Sequence, residues 1–144
     1  MNIYHYTFGH KMPEIANDGY LRPTGVNIAH DERPVLWFSR NPVFERTAAK
    51  GTLENGKVRL MNFGEMHEHL GIYRFALPMP DQRVFTWVRL PKLANIPQRV
   101  VKHMISEGVR RGAKPSDWLG TFVPIALHEM KFEVWDGDKW VNKR

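Results

Sequence analysis

Residues 34–51, P-V-L-W-F-S-R-N-P-V-F-E-R-T-A-A-K-G, constrain the fold more than any other stretch. Val35, Leu36, Trp37 and Phe38 form a short apolar run of β-branched and aromatic type, which reads as a buried strand. Ser39, Asn41 and Pro42 break it. Asn41 is suited to cap a helix with its side-chain oxygen, and Pro42 to fill a first helical position, where no N–H is needed. Val43, Phe44, Arg46, Thr47 and Ala48 then predict a short helix that Gly51 ends in a left-handed conformation. A strand, a tight polar turn and a helix result, with Trp37 and Ser39 at the strand's mouth. A strand end facing a helix N-terminus is a natural place to hold an anion or a nucleotide.

The flanking chain supplies more strands than helices. Residues 2–7 (N-I-Y-H-Y-T) alternate, placing Ile3, His5 and Thr7 on one face and Tyr4 and Tyr6 on the other. Residues 10–18 predict a short helix closed by Gly19, with Met12, Ile15 and Ala16 inward. Tyr20, Leu21 and Arg22 make a brief extended segment stopped by Pro23, and residues 24–33 form a polar loop. Residues 52–70 have mixed charge and no clear period, so they read as a long irregular connection, a place where function or mobility concentrates.

Residues 71–77 and 83–90 predict two strands whose spacing suits an antiparallel pair. Pro97 opens a helix reaching Arg111, with Val100, Val101, Met104, Ile105 and Val109 on its buried side, and with Gly108 weakening its last turn. Residues 113–120 are a loop, and Pro124 confines 121–126 to an edge or irregular extended stretch. Residues 130–135 alternate cleanly and turn through Asp136, Gly137 and Asp138 into a terminal hairpin strand at 139–141. Strands and helices mixed without βαβ repetition imply an α+β fold with a largely antiparallel sheet.

At 144 residues the chain supports one core, so residues 1–144 are expected to be a single domain. The net charge of +6 and pI of about 9.8 favour an anionic partner: a nucleic acid, a nucleotide or an acidic protein surface. The absence of Cys excludes disulfides, thiolate catalysis and Cys-based zinc sites. No apolar run approaches the roughly 20 residues of a membrane-spanning helix, and the polar start is unlike a signal peptide, so a cytoplasmic protein is expected. His67-Glu68-His69 puts both imidazoles on one face only if extended and has no third ligand, so no metal site is expected. Gly108-Val-Arg-Arg-Gly112 lacks the phosphate-loop order, and no G-x-S-x-G elbow occurs.

Three short motifs in order resemble the ADP-ribosyltransferase fold in its His-Tyr-acid branch. His5 in Y-H-Y-T matches the first-strand His followed closely by Thr. L-W-F-S-R-N-P-V-F-E-R-T-A is similar to the aromatic-Phe-small strand end and following helix, with Trp37 where the family usually has Tyr, keeping a stacking face but losing a hydroxyl. Glu129 in H-E-M-K-F-E-V-W resembles the acid opening a late strand; Glu133 and Asp117 stand as alternatives for it.

The resemblance implies a split antiparallel β-sheet core with flanking short helices. It implies NAD as substrate and transfer of ADP-ribose to a macromolecular acceptor, host protein or nucleic acid. It assigns catalysis to His5, Trp37 and Glu129, and the lining of the NAD pocket to Tyr6, Thr7, Arg22, Ser39 and Arg40. The loop 113–123, with Trp118 as a candidate contact, would meet the acceptor. So small a stand-alone domain suits a toxin, an effector or a phage-type modifier.

The chemistry needs these residue types. Breaking the nicotinamide–ribose bond builds oxocarbenium charge that a carboxylate stabilises. An aromatic face such as Trp37 or Tyr6 stacks on the departing ring. A His hydrogen-bonds ribose or carboxamide. Arg22 or Arg40 pairs with the pyrophosphate. The rival reading is a non-enzymatic basic module that holds nucleic acid or blocks an acidic protein, using Arg74, Arg83 and Arg89 with Tyr73, Phe85 and Trp87 on a sheet face. An RNA 2′-phosphotransferase on the same fold would require Arg beside the first-strand His, where Tyr4 and Tyr6 stand instead.

Overall fold

In the computed structural model, which describes residues 1–25 and 31–143, the chain opens with β1 (Asn2–Phe8). Its alternation sends Ile3 into one core cluster and Tyr6 and Phe8 into a second, so both faces of the strand are covered. Helix α1 (Met12–Asp18) carries Pro13 in its first turn and closes on Gly19 at φ 82°, as its sequence predicts. After β2 (Tyr20–Leu21), the expected 24–33 loop lies partly outside the described residues. Strand β3 (Leu36–Ser39) buries Leu36 and Phe38 in the first cluster and turns Trp37 to the opposite face.

The helix predicted after Asn41 does not form. Asn41 Oδ1 accepts from the backbone N–H of Val43 at 3.0 Å and of Phe44 at 3.4 Å, folding the chain back locally. A single 3₁₀ turn at Arg46–Ala48 follows, and Gly51 begins a strand rather than a left-handed cap. Phe44 decides the outcome. It is 2% exposed among Tyr6, Phe8, Met66 and Ile72, and burying such a ring contributes about 1.5–3 kcal/mol, more than helix propensity over so few residues.

The segment 52–70 is ordered into two elements that its mixed charge conceals. Strands β4 (Gly51–Glu54) and β5 (Lys57–Leu60) make a hairpin on the Asn55-Gly56 turn, both residues having positive φ. Helix α2 (Phe63–Leu70) starts in a capping box, with Asn62 accepting from the Glu65 N–H and Glu65 from that of Asn62. Inside this helix, His67 and His69 point to different sides.

The remaining elements are β6 (Ile72–Pro78), β7 (Val84–Thr86), α3 (Leu90–Leu93), α4 (Gln98–Arg110), β8 (Trp118–Thr121), β9 (Ile125–Ala126), β10 (Lys131–Trp135) and β11 (Trp140–Asn142). On α4, Val101 and Gly108 are buried whereas Val109, expected inward, is exposed. Gly108 is needed there: a Cβ would lie 2.6 Å from Trp118 Cζ2 and 2.7 Å from Cη2, so the helix reaches the indole only without a side chain.

Seven strands form one sheet in the order β11-β10-β6-β1-β3-β8-β7, every neighbouring pair antiparallel. The fold is therefore α+β, a mostly antiparallel sheet with a few short helices, as expected. The pairing of 71–77 with 83–90 is not made. Both edges of β6 are occupied, by β1 and β10, so β7 finds β8 at the far edge instead.

The sheet is unevenly joined. β1 and β6 match along seven residue pairs, from Asn2↔Pro78 to Phe8↔Ile72, whereas β1 and β3 share the single pair Tyr4↔Ser39. Four strands and three strands thus meet at one rung, and beside it β1 and β3 share no further ladder pair among the described residues. Among the described residues no helix is long and apolar enough to cross a membrane.

Candidate active site

The junction between β1 and β3 is where the chemistry-bearing residues collect. A cavity of about 420 Å³, within the range of small-molecule sites, is walled by Tyr4, His5 and Tyr6 from β1 and by Trp37 and Ser39 from β3. Glu45 and Thr47 from the 3₁₀ turn, Glu107 and Arg111 from the end of α4, and Trp118 close it. A second cavity, of about 380 Å³, shares His5 and Tyr6 with the first and adds Thr7, Lys11, Arg22 and Lys50.

His5 sits at the junction. Its Nδ1 lies 2.8 Å from the Trp37 carbonyl, an acceptor, so Nδ1 carries the proton and Nε2 is left as an acceptor. The ring takes the place of a strand donor at a point where the ladder has opened. Burial pushes its pKa below the ordinary value of 6.5, against the smaller opposing effect of that hydrogen bond, so the imidazole is neutral near pH 7. Phe38 meets it edge-on at 6.0 Å.

Ser39 is buried and does two jobs: Oγ donates to Glu45 Oε1 at 2.9 Å and accepts from the Asn41 N–H at 3.1 Å. Glu45, 9% exposed, also accepts from Thr47 N at 3.0 Å and Thr47 Oγ1 at 2.6 Å. All three of these donors are neutral. By contrast, Glu107 is held down to about 2 by hydrogen bonds from Arg110 and Arg111. Trp118, 5% exposed, forms part of the wall, and its Nε1–H has no hydrogen-bond partner among the described residues.

The structure places His5, Trp37, Ser39 and Tyr6 in the wall of the first cavity and Thr7 and Arg22 at the second. Tyr6 differs in role. Its ring packs against Phe44 at 5.2 Å and Trp140 at 5.7 Å, and its hydroxyl donates to the Asn41 carbonyl, so its ring is part of the core rather than a free stacking face. Burial drives its pKa upward, the Arg74 guanidinium opposing. Arg22 is paired with Asp18 at 2.7 Å. Arg40 lines neither cavity: Nη1 donates to the Ser116 carbonyl at 3.0 Å and its backbone N–H to that of Asp117 at 2.8 Å, tying the end of β3 to the 3₁₀ turn that precedes β8. Trp118, expected to greet an acceptor, is buried inside instead.

Glu129 is not brought to either cavity. It sits in a 3₁₀ turn before β10, where Arg83 Nη2 donates to it at 2.9 Å and holds its carboxyl below the usual range, while Arg83 also binds Asp81 at 2.7 Å. The register explains the distance. His5 and Phe132 both pair with Phe75, so Glu129 falls three residues short of that level, roughly 10 Å along the strand direction and two strands away. Glu133 is bound to Arg74 at 2.8 Å, and Asp117 precedes β8 outside both cavities. Two carboxylates share the first cavity with His5 and Trp37: Glu107, which is paired with Arg110 and Arg111, and Glu45, which no motif singles out. The one local signal for it is an acid two residues before Thr47, in reach of that residue's N–H and hydroxyl.

The two cavities differ in charge. The first has Glu45 and Glu107 against Arg111, in a chain whose net charge is +6; the second has Lys11, Arg22 and Lys50 with no carboxylate in its wall. His5 lies between them. Comparisons with protein-family models, with curated proteins and with solved structures find no match for the chain.

Proposed function

We propose that the protein transfers ADP-ribose from NAD to a macromolecular acceptor, a protein or a nucleic acid. The observation that carries the reading is the common cavity of His5 and Trp37, contributed by adjacent strands at the one-rung seam. In the reaction, the bond between ribose C1′ and the nicotinamide nitrogen breaks and nicotinamide leaves with the electron pair. An acceptor oxygen or nitrogen then bonds C1′ and gives up its proton to solvent. Trp37 offers a flat apolar face to the departing base. His5 Nε2 accepts from a ribose hydroxyl. Lys11, Arg22 and Lys50, across the seam, draw the pyrophosphate. A carboxylate in the aromatic cavity lowers the cost of the charge that grows on ribose, more strongly there than in water.

The test is incubation with NAD labelled in its adenylate half and a cell lysate. Label on a macromolecule, lost with Trp37→Ala and His5→Ala and kept with Glu129→Gln, supports the reading. Absence of label with the wild type sinks it, and loss of label with Glu129→Gln returns the acid role to that residue. The charge of +6 and the cations of the second cavity favour one rival, a basic module binding nucleic acid without chemistry. Binding that falls steeply with salt, with no NAD consumed, would establish it.

A further inference from the structure

We propose that Glu45 selects the oxidised, cationic form of the nicotinamide ring over its neutral reduced form, an assignment that rests on the NAD reading above. Three observations converge on this residue. First, Glu45 is a carboxylate in the wall of the aromatic cavity with 9% of its surface exposed. Second, its hydrogen-bond donors are the Ser39 hydroxyl and the Thr47 hydroxyl and N–H, which hold it in place without neutralising it. Third, Arg111, the arginine in the lining, is engaged at 3.1 Å by Glu107, which also holds Arg110, and its Nη1 donates to the Thr47 carbonyl at 3.3 Å rather than to Glu45.

Glu45 has no ion-pair partner among the described residues, and a sequestered carboxylate in that position costs free energy in the empty protein. That cost is offset when a cation enters. A flat aromatic cation suits a wall built of Tyr4, Trp37 and Trp118, and the half-buried Trp37 supplies an indole of the kind that attracts positive charge. A pyridinium ring meets both conditions, and the dihydropyridine ring of the reduced dinucleotide has nearly the same body without the charge. The second cavity's cations face the pyrophosphate common to both forms, so they contribute equally to each. Discrimination between the two forms therefore comes from the acidic side of His5.

A purely structural role is separable from this one. Glu45 caps the 3₁₀ turn through the Thr47 N–H, and a Gln at this position keeps an oxygen acceptor there while losing the charge. Capping alone thus predicts equal effects on both dinucleotides; charge selection predicts an effect on one.

The experiment is calorimetric titration of the wild type and Glu45→Gln with NAD and with NADH, in the absence of any acceptor. The expected result is a wild-type preference for NAD on the order of tenfold, reduced to about twofold or less in Glu45→Gln, with NADH affinity retained. An unchanged ratio in the variant overturns the role of Glu45 while leaving the NAD reading intact. Failure of the wild type to bind either dinucleotide overturns the NAD reading itself. If Glu45→Gln does not fold, the wild type and Glu45→Asp decide: a preference for NAD in both supports the proposal, and equal affinities for NAD and NADH overturn it.

Discussion

Gly108→Ala tests the packing of the cavity's back wall. The added Cβ would stand 2.6 and 2.7 Å from two carbons of the Trp118 ring, where relaxed carbon contacts need about 3.5–4.0 Å. About 1 Å of separation must therefore be found. The indole has little room to give, being 5% exposed and meeting Trp87 edge-on at 4.9 Å. Overpacking of this kind costs about 1–3 kcal/mol, and exchanging Gly for Ala within a helix returns at most about 1 kcal/mol, less in the final turn of α4. The net expectation is a loss of about 1–2 kcal/mol. Urea unfolding followed by Trp fluorescence measures it as a lower midpoint at unchanged slope. In a Trp118→Leu background the same methyl group has space, so its cost should vanish. A gain of about 1 kcal/mol from Gly108→Ala in the wild-type background, as helix propensity alone gives, would refute the close approach of α4 to Trp118.

Two further predictions concern charge. The His5 pKa lies below 6.5 in the folded state, so the unfolded chain takes up the proton more readily. The stability this group contributes is complete above that value and is lost as pH falls beneath it; unfolding free energies from about pH 5 to 8 should show a slope that His5→Gln reduces. For the paired acids, Glu133→Gln leaves the guanidinium of Arg74, 9% exposed between Tyr4 at 4.1 Å and Trp140 at 4.4 Å, without its counter-ion, and should cost about 3 kcal/mol in urea unfolding. Glu129→Gln, at a solvent-exposed pair, should leave the same midpoint unmoved.

Elements written in local chemistry were legible. The Gly19 cap, the V-L-W-F-S strand, the helix opened by Pro97 and the hairpin turning at Gly137 each depend on a few neighbouring residues, and each is present. The β4–β5 hairpin carried a legible Asn55-Gly56 signal, but Leu53 and Val58 are 73% and 76% exposed, so no inward face marked the strands. The helix that local propensity favours after Asn41 is absent because a tertiary demand, the burial of Phe44, outweighs that propensity. Strand partners were beyond reach for a related reason: a strand's alternation says which faces are covered and nothing about which edges are taken. The candidate site divides along the same line. His5, Trp37 and Ser39 lie on strands that local patterning marks, whereas Glu129 depended on a register that no local pattern encodes, and Glu45 enters through a turn that replaces the expected helix.

The lone rung between Tyr4 and Ser39 has a mechanical consequence. Bending the sheet along that line strains one ladder pair and the His5–Trp37 hydrogen bond, where bending it anywhere within the β1–β6 ladder would strain seven paired positions. Two stiff plates connected by a soft crease should therefore breathe against each other, and the width of both hollows rides on that motion. A dinucleotide lying across His5 would act as a suture between the plates, slowing amide exchange along β1 and β3 at once, far beyond the few groups it touches.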